Sequence, residues 1–380
     1  FISLTQIEYF VLTGEIQAQL NNYKESSDSF NQAVDSYSKL LENAKNNTNS
    51  YTLHIKRQQS EIIYQIGVNF LSQNDRQKAL EKFNYSLELN PRNSSSVIAL
   101  FNLYKGRSEI EKCQKICMEY LTVDPTNETI ALLFTSSQTT DLFKSIPYLQ
   151  KVIDAHPYYF RALVRLVEIC ARCGRLSIAY DYIQKSKCNE PGYYFVRGLY
   201  AQYTGNNQKA NSLYRKATSS QKWEIPAKVA LFSLLVNPDR KFVIFEDQAL
   251  SSENNLKEAE ILLKTIHTDE ATIKLLYCDL LLSNNTKETI SEAYSIYSDL
   301  SNRVPGLISS FLGQARCLTK QGDFDKANDI ITTILSGNTF HENFSYFEES
   351  YLIRAYIISL KTNYNSAQNY IYLAIGLNRC

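Results

Sequence analysis

Glycine and proline are scarce in this 380-residue sequence, at 12 and 8 residues, less than half their usual shares of about 7% and 5%. The turns of a sheet protein this size draw on both, so the scarcity excludes an all-β or α/β chain. An excess of one charge is also missing, since 40 Lys and Arg face 39 Asp and Glu. That balance gives no electrostatic case for nucleic acid or an anionic membrane as partner. No apolar run approaches the roughly 18 residues of a membrane helix, and the densest patch, Leu275 to Leu282, contains Asp279. The eight cysteines, at 113, 117, 170, 173, 188, 278, 317 and 380, are too dispersed for a secreted disulfide scaffold and fit a reducing compartment better. Sequons at Asn93 and Asn127 matter only on a secretory route; with no signal peptide in the sequence they read as incidental. Methionine occurs once, as Met118, and the sequence starts at Phe1, so it reads as a piece of something longer.

What is abundant is aromatic: 27 Tyr and 18 Phe. A single core stops growing near about 250–300 residues, so this length implies several domains or a repeat array. The repeat is visible. Gly67, Ala79, Phe83 and Pro91 stand at the separations of a 34-residue helix–turn–helix unit. A small residue on each helix lets the backbones approach, an aromatic ring fills the gap beside them, and proline ends the second helix. Pro91, Pro125, Pro157 and Pro191 follow at intervals of 34, 32 and 34. Ala79, Cys113, Ser145 and Ala179 hold the close-packing position of successive second helices. Gly198, Gly205, Ala210, Tyr214 and Ala217 supply the full set, and Gly14, Phe30 and Ala33 fit it at the start. The pattern resembles the tetratricopeptide repeat and predicts an all-α superhelical solenoid of about ten helix pairs, near 7–45, 51–89, 94–122, 126–155, 158–188, 191–220, 226–266, 268–303, 306–336 and 345–378. Grouped by rhythm, these are a helix pair at 1–50, an array at 51–222, an irregular pair with a long loop (237–254) at 223–266, in which Pro226 opens a short helix, and a second array at 267–380.

Several stretches are more specific than the generic repeat. Pro191 through Gly205, then Ala210, Tyr214, Lys216, Ala217, Trp223 and Asn237-Pro238-Asp239, resemble the C-terminal half of the tetratricopeptide repeat protein 21 family. Cys113 and Cys117 before Asp124-Pro125, Arg172 to Leu176, and the closing Tyr364 to Cys380 match it too. The shortened fourth repeat, with Thr139-Thr140-Asp141 in place of a glycine turn, departs from it, and residues 1–50 match only the generic pattern. The resemblance implies a non-enzymatic scaffold subunit of intraflagellar transport complex A, acting in retrograde ciliary transport and membrane-protein trafficking at the axoneme and basal body, on the cytoplasmic side. Implied partners, in a hetero-oligomer, are the complex's WD40/tetratricopeptide subunits and its small extended subunit. The alternative is an adaptor of another assembly, such as a co-chaperone.

Candidate chemistry is thin. Cys113 and Cys117 with Cys170 and Cys173 supply four thiols that could bind zinc, but three of them occupy packing positions where cysteine acts as a small hydrophobe. No phosphate loop is present, and no cofactor is expected. Binding is the better expectation, because stacked helix pairs present their first helices as an extended surface. Phe195, Leu199 and Tyr203, at i, i+4 and i+8 of one first helix, form a candidate partner-binding stripe. Arg161 and Arg165, one turn apart, supply half of a carboxylate clamp whose other half is lacking, with Ala131, Leu132 and Phe134 where amides are needed. The last helix carries Tyr364, Tyr370, Ile371, Tyr372, Leu373 and Ile375, a poor polar cap that another subunit would cover unless the helix folds back on its own array.

Overall fold

The computed structural model describes residues 4–43, 49–138, 142–236, 253–304, 306–336, 344–360 and 364–379. Among these residues every regular element is a helix. In pairs they are α1 (Leu4–Gln19) and α2 (Tyr23–Asn43), α3 (Asn49–Ser72) and α4 (Arg76–Leu89), and α5 (Ser94–Lys105) and α6 (Ile110–Val123); then come α7 (Glu128–Ser137) and, after a 3₁₀ turn (Leu142–Ser145), α8 (Ile146–Ala155). They continue as α9 (Phe160–Arg172) and α10 (Leu176–Lys185), α11 (Pro191–Tyr203) and α12 (Asn207–Ala217), α13 (Gln221–Val236) and α14 (Glu253–Leu263), α15 (Glu270–Asn284) and α16 (Lys287–Arg303), α17 (Ile308–Gln321) and α18 (Phe324–Ser336), and α19 (Phe344–Leu360) and α20 (Tyr364–Arg379). The architecture is all-α and tetratricopeptide-like: among the described residues nine pairs of successive helices pack together, while α7 closes the first unit and α8 belongs to the second. The chain forms two compact units, Phe1–Gln138 and Thr139–Cys380, divided between α7 and the 3₁₀ turn.

In the first unit the repeat logic is explicit. A Cβ placed on Gly14 would lie 2.6 Å from Phe30, and one on Gly67 would lie 2.5 Å from Phe83. Both rings are almost wholly buried, each contributing about 1.5–3 kcal/mol by that burial. The turns between paired helices need a left-handed residue; Asn21 and Asn74, both at φ 62°, and Ser108 at φ 58° serve there, asparagine tolerating this region better than most. A buried polar cluster ties successive pairs together: Ser86 Oγ donates to Ser60 O at 2.8 Å, and Asn93 Nδ2 donates to Ser60 Oγ at 3.0 Å and Ser86 Oγ at 3.1 Å. Asn93 also caps α5, accepting from the Ser96 amide. Its amide group is thus engaged inside the fold, a position no glycan can share.

In the second unit Gly198 meets Tyr214 in the same way, at 2.7 Å for a Cβ. Tyr297 departs from the pattern. Its ring lies on Gly313 of the following first helix, at 2.3 Å for a Cβ, within a cluster of Cys278, Leu281, Ala293 and Cys317. The helix expected to open at Pro226 begins five residues earlier, because Ser220 O accepts from the amides of Trp223 and Glu224 at 2.9 and 2.7 Å and the buried Trp223 ring anchors that first turn. Pro226 sits inside α13. Thr139-Thr140-Asp141 and most of the 237–254 loop lie outside the described residues.

Candidate protein-binding surfaces

A groove of about 640 Å³ lies in the first unit, within the range of about 300–1,000 Å³ typical of ligand sites. Its walls are two first helices. Tyr64, Val68 and Leu71 of α3 face Ile98, Ala99, Asn102 and Leu103 of α5, with Asn74 and Arg76 at one end. Local packing fixes the walls from behind: Phe83 occupies the space over Gly67, the Tyr64 ring leans on it at 5.6 Å, and Leu100 is buried beneath. Asp75 caps α4 by accepting from the Lys78 amide, which holds the turn carrying Asn74 and Arg76. No lining residue is acidic, and Arg76 is exposed. Half-buried apolar walls with amides and one cation at the end suit an extended segment or a helix whose main chain the asparagines can bond. The sequence reading missed this groove, although the i, i+4, i+7 spacing of Tyr64, Val68 and Leu71 marks one of its two walls.

The stripe expected on α11 is not one surface. Phe195 is 8% exposed, its ring 5.2 Å from Trp223 and 5.6 Å from Tyr214. The reason is the early start of α13, which brings Trp223 over the N-terminal half of α11. Leu199 is half-buried, and only Tyr203, at 44%, is exposed. On α9, Arg161 is exposed while Arg165 pairs with Glu168 at 3.1 Å, so its charge is partly matched within its own helix. On α20, Tyr370 stacks on Tyr351 at 6.2 Å with the Arg354 guanidinium 5.2 Å from its ring. Tyr372 is 60% exposed beside exposed Ile371 and Leu373. The seven residues occupy three helices and do not converge. An exposed stripe the sequence reading did not mark is Tyr9, Leu12 and Ile16 on α1, with Leu20 just past its end. At the matching positions of α3, Ile62 and Asn69 are buried against α2, Ile62 beside Phe30 and Ala33 and Asn69 donating to Ser26 Oγ at 2.8 Å. α1 therefore leaves open the face by which α3 docks on its predecessor.

The thiols behave as packing groups. Burial pushes the Cys117 and Cys317 thiols up to about 12 and Cys170 up to about 11, and it raises Cys113 and Cys278 as well. A thiolate nucleophile or ligand needs the opposite shift. Cys113 and Cys117 belong to the first unit, Cys170 and Cys173 to the second. Among the described residues no three His, Cys, Asp or Glu side chains gather as a metal site, and no helix is long and apolar enough to cross a membrane.

Known proteins are similar to this chain. Residues 128–235 match the family model described as the TT21 fifth ARM repeats domain. Tetratricopeptide repeat protein 21B of Xenopus laevis is 23% identical over 330 residues, 80% of this chain and 25% of its own length. The Homo sapiens protein of that name is 21% identical over 397 aligned positions, 97% of this chain and 30% of its own. A tetratricopeptide repeat protein from Parabacteroides merdae superposes over 68% of this chain and 98% of its own, at 12% identity and a TM-score of 0.47. The chain spans about a quarter of the length of the curated relatives it matches. On the matched repeat domain and on relatives that align along most of its length, the chain is similar to the tetratricopeptide repeat protein 21 family.

Proposed function

We propose that this chain is a non-enzymatic scaffold segment of intraflagellar transport complex A, holding other subunits for retrograde transport in the cilium and for ciliary membrane-protein trafficking. The observation that carries the docking role is the groove between α3 and α5: apolar walls, amides for a partner's main chain, and one exposed cation at the end. Similarity to the tetratricopeptide repeat protein 21 family supports the choice of assembly. The partners on this reading are the WD40/tetratricopeptide subunits and the small extended subunit of the complex. Nothing in the groove calls for chemistry, since its lining holds no cysteine, histidine or carboxylate. The test is co-elution of the purified chain with recombinant complex A subunits, taken singly, against a peptide ending in the acidic tail that co-chaperone repeats bind. Co-elution with a complex A subunit supports the scaffold reading; retention of the acidic tail alone replaces it with the co-chaperone one.

A further inference from the structure

A second concavity, about 170 Å³, lies in the second unit where α10, α11 and the start of α12 meet. It is too small for a drug-sized ligand, which needs about 300 Å³ or more, and it suits one ionised group. Its lining is biased toward donors. Arg197 of α11 and Lys209 of α12 both border it, together with Tyr180, Gln184 and Tyr200, and none of its lining residues is acidic. Arg197 rests over the Tyr193 ring at 5.6 Å, and neither cation has a carboxylate partner among the described residues. The Tyr180 and Tyr200 rings lie 5.8 Å apart and form one wall. The N-terminus of α12 adds to the bias: Asn206 caps it by accepting from the Lys209 amide at 3.0 Å, and both residues line the cavity. A helix N-terminus carries about half a positive charge, which adds to the positive bias of a cavity that Arg197 and Lys209 border. The turn is rigid as well, with Gly205 at φ +80° and the Asn206 amide donating to Ala201 O at 2.8 Å.

We propose that this cavity binds a single oxyanion group, a carboxylate or a phosphoryl group. Two unpaired cations facing one small cavity repel each other, and an oxyanion relieves that repulsion while accepting charge-assisted hydrogen bonds from both. Tyr180, Tyr200 and Gln184, which line the same cavity, carry further groups able to donate. The anion's carrier, a side chain of a bound polypeptide, rests on the scaffold reading above; binding of the free anion does not, so the two fail separately.

The experiment uses the whole chain and four probes: inorganic phosphate and O-phosphoserine, read by ³¹P line broadening, and N-acetylglutamate and N-acetylglutamine, read by saturation transfer. At least one anion binds, and N-acetylglutamine does not. Substituting Arg197→Gln with Lys209→Gln weakens that binding by about tenfold or more, whereas Arg215→Gln with Lys216→Gln, on the same helix but outside the cavity, leaves it unchanged. Lys209 is exposed, so Lys209→Gln alone keeps the fold and still lowers affinity if Arg197→Gln disturbs it. Phosphate bound in preference to glutamate assigns the site to phosphorylated side chains, and the reverse assigns it to acidic ones. Absence of binding by all three anions, or binding unaltered in the Lys209 and double variants, overturns the proposal.

Discussion

Placing a methyl group on Gly198 tests the aromatic-on-glycine contact that closes each well-formed helix pair. The added Cβ would stand 2.7 Å from Tyr214 Cδ1 and Cε1, closer than two carbons can sit. The ring has nowhere to go, because it is fully buried, lies 5.6 Å from Phe195, and donates its hydroxyl to Gln202 Oε1 at 2.6 Å. Overpacking of this kind costs about 1–3 kcal/mol, while replacing a helical glycine by alanine returns about 1 kcal/mol of propensity. Gly198→Ala is therefore expected to destabilise by up to about 2 kcal/mol net. Gly106→Ala is the control, since its Cβ would meet nothing nearer than Asn102 O at 3.4 Å and should be neutral or slightly stabilising. In a Tyr214→Ala background, itself down by about 3–5 kcal/mol, the ring is gone and Gly198→Ala should change sign. Urea unfolding followed by Trp223, the single tryptophan, reads this region directly, because its ring is 5.2 Å from Phe195. A Gly198→Ala variant as stable as Gly106→Ala, or an effect that keeps its sign without Tyr214, would refute the reasoning.

Three further outcomes follow from the same packing. Folding holds the Cys117 and Cys317 thiols protonated up to about 12, against about 8.5 in the unfolded chain; their stabilisation is complete below the unfolded value and is lost as pH rises through 9 toward 12, by about 1.4 kcal/mol per pH unit for each thiol, so melting temperatures should fall on the alkaline side. Iodoacetamide on the native protein at pH 8 should modify half-buried Cys173 and Cys188 well before Cys117, and equal rates on mass spectrometry would contradict the burial. Asn93→Ala removes a cap and two buried hydrogen bonds, an expected loss of about 1–3 kcal/mol, whereas Phe195→Ala should lose about 3–5 kcal/mol and Tyr203→Ala less than about 0.5 in the same denaturation assay.

The fold was legible because a repeat states its geometry many times over. Gly14, Gly67 and Gly198 each announce a close approach, and the ring four residues beyond the second small residue fills it. The positions of the prolines marked helix boundaries equally well, with Pro91, Pro125 and Pro157 just past α4, α6 and α8. Where a single residue carried two meanings the reading slipped. Pro226 looked like a helix start, since proline is at home there, but the hydrogen bonds to Ser220 and the burial of Trp223 moved the start upstream. That shift is also what took Phe195 out of the candidate stripe: helical spacing shows which residues share a face, and which neighbour covers that face depends on the next pair. The groove between α3 and α5 escaped for the same reason. Its walls come from helices about 30 residues apart, and no local spacing pairs Val68 with Ala99. Tyr297 shows a further limit, because the template assigns its ring to its own pair while the structure sends it to Gly313 of the following helix.

Equilibrium binding between the purified chain and recombinant complex A subunits, compared with an Arg76→Glu, Ile98→Lys variant, tests the scaffold account most directly. Arg76 is exposed and Ile98 half-buried, so circular dichroism should stay that of the parent chain. The account predicts one subunit that binds the parent chain and binds the variant about tenfold or more weakly, as a hot-spot pair would. Equal affinity for both chains would take the groove out of the account, and no binding by any subunit would contradict the scaffold role itself.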